Sequence, residues 1–408
     1  MKKGWQTKKI GDVCSLRTGG TPSKTKPEYF GGEIRWLVSG DINKGEIFEC
    51  EGRITEAGMK ASNAKLLPVN SVMIALNGQG KTRGTVALLR TPATCNQSLV
   101  SIYPNEPNKL LPEFLYANLH GRYQELRQMT GDSGNDRRGL NMILIKGIEI
   151  PIAPLPEQQR IVGILDEAFE GLAIAKANAE KNLQNARALF ESHLQSVFTQ
   201  RGKGWMEKRI EEWCDSIMDC VNKTAPVVED PTPFKMIRTT NVRNGRVDVS
   251  TVKFVTAETY KIWTRRQVPQ MGDVILTREA PMGEVGMLLT DDKVFLGQRL
   301  VSYRANSAIL DNHFLLFALQ SGDLQGQIHA KASGSTVQHM RVPDTKNLLL
   351  AAPPLQMQRQ VVAQLVSLSE ESQRLESIYQ QKLVVLDELK KSLLHRAFNG
   401  ELIKDNGQ

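Results

Sequence analysis

The sequence predicts an α+β protein in which two globular mixed α/β domains, related by pseudo-two-fold symmetry, are separated by two long antiparallel helices that form a coiled coil. Three observations predict this fold class. A long helical pattern occurs twice, once in the middle of the chain and once at its end. The first half of the sequence is repeated in the second half at an offset of about 200 residues. That period is too long for a solenoid, whose repeats span roughly 20–50 residues.

The first long helix is predicted to begin at Pro156 and to end near Gln200. Proline suits the first helical turn, where its missing N–H costs nothing, and Gly202 lies just past the end, where a helix stops. At about 1.5 Å per residue the helix would be roughly 65 Å long. Apolar or small residues recur at spacings of four and three, which indicates a coiled-coil seam. The predicted seam consists of Ile161, Leu165, Ala168, Leu172, Ala175, Ala179, Ala186 and Leu189.

The second long helix is predicted over residues 354–400. Gln158 matches Gln358 and Phe198 matches Phe398, each pair 200 positions apart. If a two-fold axis relates the halves, the two helices run antiparallel and their seams pack together. The second predicted seam consists of Val361, Leu365, Leu368, Leu375, Tyr379, Leu386, Leu389 and Leu393.

The repeat also covers the globular parts. IRWLVSGDINKGEI at 34–47 aligns with FKMIRTTNVRNGRV at 234–247, and each predicts a strand, a polar loop and a return strand. SVMIALNGQGKTRGTVALL and DVILTREAPMGEVGMLL each predict two strands around a Gly-bearing loop. Other loops match poorly, which is expected if each unit binds something different. The predicted segments are a first globular domain at 1–153, a helix at 154–202, a second globular domain at 203–353 and a second helix at 354–408.

Composition narrows the class of protein. The 408 residues are 40% hydrophobic, enough for sizeable cores. A formal charge of +8 and a pI near 9.1 favour a polyanionic partner. The five cysteines show no CxxC pair, so we expect reduced thiols in a cytoplasmic protein, without disulfides or a zinc site. Neither a secretory leader nor a membrane span is visible in the sequence.

Four motifs resemble a known family. PLPEQQRIV at 154–162 and PLQMQRQVV at 354–362 resemble the proline–glutamine helix start of the specificity subunits of type I restriction–modification enzymes. SHLQSVF at 192–198 and SLLHRAFNGEL at 392–402 resemble the family's helix end. The resemblance covers nearly the whole chain. One departure is Gln356-Met357 where the first copy has Pro156-Glu157, which weakens one helix cap.

The resemblance implies a function in DNA recognition. Each globular unit would be a target recognition domain for one half of a split double-stranded DNA sequence, and the helix pair would set the unread gap. The chain would be non-catalytic and would recruit two modification (methyltransferase) subunits, with restriction subunits in the full complex. A helix of roughly 65 Å is long enough to separate two domains by at least one turn of B-DNA, about 34–36 Å.

Base contacts are expected from polar and basic loops, because Arg pairs well with guanine and Asn or Gln with adenine. The alternative for each residue is an ordinary solvated side chain. In the first unit the candidates are Ser39, Asp41, Asn43, Lys81, Arg83, Asn135, Arg137 and Arg138. In the second they are Thr240, Asn241, Arg243, Arg265, Arg266, Arg278, Gln338, His339 and Arg341.

Four apolar residues of the first long helix fall off its predicted seam and need cover from elsewhere. A globular unit or a helix of a modification subunit could supply that cover, and we expect the latter for some of them. These residues are Leu183, Phe190, Leu194 and Phe198.

Two rival functions stay open at this point. ALNGQGKT at 75–82 satisfies a relaxed phosphate-loop pattern, which would indicate a nucleotide hydrolase. However, the following RGTVALLR predicts a strand, whereas a phosphate loop must open a helix. A stand-alone DNA-binding regulator is the second rival. Asp230-Pro231-Thr232-Pro233 departs from the methyltransferase motif at its third and fourth positions, and the histidines do not cluster. We therefore expect no cofactor, no metal and no catalysis.

Overall fold

The computed structural model describes residues 2, 4–78, 82–129, 139–333 and 338–403. The chain divides into two compact units. Unit 1 comprises Met1–Ala179 and Gln381–Gln408, and unit 2 comprises Glu180–Gln380. Each long helix therefore contributes one part to each unit.

Unit 1 begins with a mixed series of short strands and helices that leads into the first long helix. Its strands are β1 (Gln6–Lys9), β2 (Cys14–Thr18), β3 (Phe30–Leu37), β4 (Glu46–Ile47), β5 (Arg53–Ile54), β6 (Val72–Ala75), β7 (Val86–Leu89), β8 (Thr94–Cys95), β9 (Leu99–Pro104) and β10 (Glu149–Ile152). Its helices are α1 (Ile10–Val13), α2 (Glu56–Lys60), α3 (Pro112–Gly121), α4 (Tyr123–Gln128), α5 (Met142–Gly147) and the start of α6 (Leu155–Thr199).

The sheets of unit 1 explain its burial pattern. A five-stranded sheet has the order β2-β9-β6-β7-β4, and β6 and β7 form the predicted antiparallel hairpin. Every residue of these two strands is buried, which fits their uninterrupted apolar sequence. The predicted return strand β4 does not pair with β3. It lies parallel to β7, while β3 joins β5 and β8 in a second sheet, because the intervening loop crosses from one sheet to the other.

Unit 2 repeats this series. Its strands are β11 (Met206–Arg209), β12 (Cys214–Asp219), β13 (Phe234–Ile237), β14 (Val242–Arg243), β15 (Gly245–Val247), β16 (Lys253–Phe254), β17 (Val274–Arg278), β18 (Met282–Met287), β19 (Lys293–Leu296), β20 (Leu300–Ala305), β21 (Ala332–Ser333), β22 (His339–Met340) and β23 (Leu349–Ala352). Its helices are α7 (Ala257–Trp263), α8 (Asn312–Gln320), α9 (Gly322–Ala330), α10 (Val342–Lys346) and the start of α11 (Leu355–Phe398).

The two units share one sheet topology. In unit 2 the order β12-β20-β17-β18-β15-β14 repeats the order of unit 1 with one added edge strand, and β16-β13-β19 repeats β5-β3-β8. The first strand of each unit pairs antiparallel with the strand before its long helix, β1 with β10 and β11 with β23. The two registers are offset by 200, since Gln6 faces Ile152 and Met206 faces Ala352.

The long helices pack against each other inside each unit. In unit 1 the ammonium of Lys176 lies 3.1 Å from the carboxylate of Asp387, and Lys390 lies over the ring of Phe169. Because the lower number on α6 meets the higher number on α11, the two helices run antiparallel here, as predicted. In unit 2, Arg187 pairs with Glu376 at 2.9 Å, and the buried hydroxyl of Ser372 donates to the carbonyl of Ala186 at 2.5 Å. A small residue at the contact permits this close approach.

The predicted seams are correct near the start of each helix and wrong at one position near each end. Ile161, Leu165 and Leu365 are buried. Leu189 and Leu389, however, are 51% and 46% exposed. Beyond its middle, each helix packs on the globular core of the unit to which that part of the helix belongs. The helix face covered by this core does not include Leu189 or Leu389.

A buried glutamine fixes the start of each long helix. The side-chain oxygen of Gln158 accepts from the amide of Leu111 at 2.9 Å, and its NH₂ donates to the carbonyls of Lys109 and Ala153 at 2.8 and 2.7 Å. Gln358 makes the same three bonds in unit 2. Each carboxamide is fully buried and bonded at both ends, so each helix start is tied to its own globular part.

Candidate nucleic-acid interface

A short 3₁₀ helix, Ser39–Lys44, follows β3 in unit 1 and carries three of the predicted DNA-binding residues. Asp41 is buried, and its carboxylate accepts bonds from the amide of Val38 and the ammonium of Lys44, both at 3.0 Å. Ser39 is half-buried and Asn43 is exposed. We therefore assign Asp41 to holding this loop. Asn43 is exposed, and its side-chain NH₂ donates to the carbonyl of Gly40 at 3.1 Å.

Unit 2 uses the same cap at the equivalent position. Asn241 is 2% exposed, and its side-chain oxygen accepts from the amide of Arg238 at 2.9 Å. Its NH₂ donates to Thr251, at 3.2 Å to the hydroxyl, and Thr251 in turn donates to Asp248. The hydroxyl of Ser250, followed by the hydroxyl of Thr251 and the amide of Ser250, donates to Asp248 and lowers the pKa of its carboxyl group to about 2. A hydrogen-bond network of Asn241, Thr251 and the ionised Asp248 thus holds in unit 2 the loop that an ion pair holds in unit 1.

The cap leaves Thr240 exposed at the tip of its loop. The next predicted residue, Arg243, is half-buried and donates to the carbonyls of Thr239 and Val242 at 2.8 and 2.5 Å. Its guanidinium therefore stabilises the same loop through hydrogen bonds to the main chain of that loop.

Two further loops of unit 2 meet this cap. The hydroxyl of Thr239 donates to the carbonyl of Ala280 at 3.1 Å. The half-buried Arg278 donates from Nη1 to the carbonyl of Met340 at 2.9 Å. The loops after β13 and β17 and the segment around β22 are thus brought together, although they are far apart in sequence.

His339 completes this group. Its imidazole Nε2 lies 3.2 Å from the hydroxyl of Ser333, and its backbone forms a bridge with Glu279. Gln338, just before it, is exposed. The predicted residues Thr240, Arg278, Gln338 and His339 therefore belong to one surface, which we call the unit 2 loop face.

Three other predicted arginines are exposed and bonded within the chain. Their partners are the carbonyl of Ile262 for Arg265, the carboxylate of Asp219 for Arg266 and the carboxylate of Asp344 for Arg341.

Sequence reasoning missed Arg299. Its side chain is 50% exposed and lies 3.1 Å from Glu279, on the unit 2 loop face. The alignment of Asn96-Gln97-Ser98 with Gly297-Gln298-Arg299 marked the loop, but an arginine against a serine gave no sign of its role.

The equivalent loop of unit 1 lines a polar cleft of about 550 Å³. Gln97 bonds with the hydroxyl of Thr21, and the indole N–H of Trp36 donates to the carbonyl of Gly20 at 2.9 Å. Gln97 was also missed, because its partners come from a distant segment of the chain.

Other predicted residues of unit 1 lie at or beyond the described part of the chain. Arg83 is half-buried in the turn Thr82–Gly84 that precedes β7. Lys81, Asn135, Arg137 and Arg138 lie outside the described residues. A strand follows this turn, so ALNGQGKT lacks the helix that a phosphate loop requires.

The four apolar residues of α6 receive cover within the chain. Leu194 and Phe198 are only 6% and 5% exposed, in the core of unit 2. Phe190 packs its ring 6.1 Å from that of Phe317, and Leu183 is half-buried. The expectation of a partner subunit is thereby corrected for Leu194 and Phe198, because their own globular unit already buries them.

The cysteine thiols are buried or half-buried and unpaired. Burial raises the pKa of Cys14, Cys95 and Cys214 to about 12, so these thiols stay protonated at neutral pH. Among the described residues, no group of histidine, cysteine and acidic side chains has a metal-binding arrangement, and no helix is long and apolar enough to cross a membrane.

Comparison with a protein family decides the identity of the two units. The model of the type I restriction modification DNA specificity domain matches residues 2–184 and again residues 202–382. This chain belongs to that family. The two matches account for the internal repeat, and each contains one of the two capped loops.

The chain is similar in sequence to curated type I specificity subunits. Over 423 residues the chain is 22% identical to the MjaIX specificity subunit of Methanocaldococcus jannaschii, covering 98% of this chain and 94% of that protein. It is 30% identical to the EcoR124I/EcoR124II specificity subunit of Escherichia coli over 165 residues, 40% of each chain.

Solved structures of low sequence identity share the fold. The HsdS subunit from Thermoanaerobacter tengcongensis aligns over 98% of both chains with a TM-score of 0.66 at 19% identity. A chain from a structural study of complex assembly and conformational transition of the type I R-M system gives a TM-score of 0.79, also at 19% identity, over 98% of this chain and 99% of that one.

Proposed function

We propose that this chain is the sequence-specific DNA-recognition subunit of a type I restriction–modification complex. Residues 1–153 and 203–353 each bind one half of a split double-stranded target. The long helices connect the two domains and set the length of the unread gap.

The observation that carries this proposal is the pair of capped loops. Asp41 and Asn241 make the same main-chain bond at positions 200 apart, to Val38 and Arg238 respectively. The residues presented beside these caps differ between the units, with Asn43 exposed in one and Thr240 in the other. One scaffold that carries two different polar loops suits recognition of two different half-sites.

Charge and covalent linkage also support DNA as the ligand. The chain carries a formal charge of +8, which favours contact with phosphates. Two domains joined in one chain bind a split site more tightly than either alone, provided that the spacing fits.

We infer that the chemistry belongs to partner subunits. The sequence has no methyltransferase motif, so this chain would contribute recognition, and two modification subunits would methylate the DNA. Restriction subunits would join in the full complex. Apolar side chains exposed on the long helices in both units support two such docking positions. They are Ile174, Val384, Val385 and Leu389 in unit 1, and Leu189 and Ile378 in unit 2.

The test is methylome sequencing of cells that carry the modification subunit with and without this chain. We expect a methylated motif of two short half-sites, separated by a fixed gap, only when this chain is present. Exchanging residues 203–353 for those of a relative should change one half-site and leave the other intact. A continuous motif, or methylation that does not depend on this chain, would contradict the proposal.

A further inference from the structure

We propose that Arg299 recognises a guanine in the half-site bound by unit 2. This inference rests on the proposed function. It specifies one base of the target and the side chain that recognises that base.

The backbone at Arg299 holds an unusual conformation. Its φ is +70°, in the left-handed region that non-glycine residues seldom adopt. Its amide donates to the thiol sulfur of Cys220 at 3.1 Å, and its carbonyl accepts from the amide of Arg278 at 2.8 Å. Because both main-chain groups are bonded, the surrounding fold keeps this residue in a conformation that it would otherwise avoid. Strain of this kind clusters at binding sites.

The side chain is presented and partly held. It is half exposed, and its Nε lies 3.1 Å from the carboxylate of Glu279, whose own side chain is only 20% exposed. Among the described residues, neither Nη1 nor Nη2 of Arg299 has a hydrogen-bond partner. A guanidinium held through Nε keeps Nη1 and Nη2 available as a planar pair of donors.

The position of Glu279 links this arginine to the other loops. Glu279 bridges to His339 through its backbone, and the next residue, Ala280, accepts a bond from Thr239. Arg299 therefore lies on the unit 2 loop face beside Thr240 and Gln338. In contrast to Arg299, the neighbouring Arg278 donates a hydrogen bond from one terminal nitrogen to the carbonyl of Met340.

The chemistry of the ligand follows from this arrangement. Guanine presents O6 and N7 side by side in the major groove, and two parallel arginine donors match them. Adenine offers N7 beside an N6 donor, which an arginine cannot satisfy. In unit 1 the equivalent residue is Ser98, which lacks a fork of donors, so this guanine contact belongs to unit 2 alone.

The test uses the complex of this chain with its modification subunits. Methylation rates are measured on duplexes that carry each of the four bases at every position of both half-sites. The variants are Arg299→Gly, which accepts the left-handed φ without strain, and Arg299→Lys, which keeps the charge but loses the fork. Arg209→Ala, an exposed arginine of β11, is the matched control.

We expect Arg299→Gly to reduce discrimination for guanine at one position of the unit 2 half-site by about 10- to 100-fold. Arg299→Lys should show most of this loss, while the unit 1 half-site and the control variant keep wild-type discrimination. If Arg299→Gly slows methylation of every duplex equally, Arg299 contacts a phosphate and the inference is wrong. Unchanged discrimination also overturns it. If wild type shows no split motif at all, the proposed function fails instead.

Discussion

His120 is a histidine that the fold keeps neutral. It lies on α3 with its ring 5.6 Å from that of Tyr116. Burial, and secondarily the positive charge of Lys390, lowers the pKa of His120 from 6.5 to about 4. Burial in turn lowers the pKa of Lys390. Unit 2 has Gln320 at the equivalent position, so the same site exists with and without a titratable ring.

This comparison gives a pH prediction. Between pH 6.5 and 4 the unfolded chain binds a proton at His120 and the folded chain does not, so stability is present above pH 6.5 and is lost as the pH falls through this window. His120→Gln should remove that loss, which is on the order of 2 kcal/mol at pH 5. Urea unfolding at pH 7 and pH 5 measures it, with the exposed His193→Gln as control. An unchanged difference between the two pH values would refute the prediction.

Residue type alone could not separate contact residues from supporting ones. Asp41 and Asn241 were predicted to meet DNA because they are polar and lie in loops, yet both are buried caps. Arg299 is the opposite case, because it was not predicted and yet is exposed. Its proposed role depends on a left-handed backbone conformation and on a carboxylate that is distant in sequence. Burial and backbone conformation both depend on tertiary contacts, which a single sequence does not reveal.

At the scale of the element, the glutamine at the start of each long helix gives a stability prediction. Gln158→Leu would leave the amide of Leu111 and the carbonyls of Lys109 and Ala153 without their partner. We expect the free energy of unfolding of unit 1 to fall by about 3 kcal/mol.

The neighbouring Gln159 provides the control, because it is exposed on the same turn. Gln159→Leu should change stability by less than about 0.5 kcal/mol. Thermal unfolding of both variants tests this, and equal melting temperatures would show that the hydrogen bonds of Gln158 contribute little to stability.

The elements themselves were largely predictable. Periodicity and cap residues located all four ends of α6 and α11 to within two residues, and α6 begins at Leu155 rather than Pro156. The exposed Leu189 and the partner of β4 were not predictable. Which helix face the core covers, and which sheet a two-residue strand joins, are decided by long-range packing rather than by local pattern.

At the scale of the whole molecule, the prediction concerns assembly. Leu189→Ser and Leu389→Ser replace exposed side chains at equivalent positions, so the free energy of unfolding should change by less than about 0.5 kcal/mol. If modification subunits dock on the long helices, each change should weaken capture of that subunit by removing apolar contact area.

Co-purification of tagged chain with its modification subunit measures the effect. Leu66→Ser is the matched control, because Leu66 is 56% exposed in the globular part of unit 1. Loss of capture with Leu66→Ser as well, or no loss with either helix variant, would place the docking surface elsewhere.

The pairing of β1 with β10, and of β11 with β23, has an evolutionary consequence. In each unit the chain enters and leaves the globular part through two adjacent, paired strands. The residue pairs of unit 2 are those of unit 1 shifted by 200 positions. A gene segment that encodes everything between those strands can be exchanged by recombination without disturbing its flanks. Such a cassette would arrive with its own loops and inherit a ready-made helix start. New specificities could then spread by shuffling whole segments, in addition to the slow accumulation of point mutations.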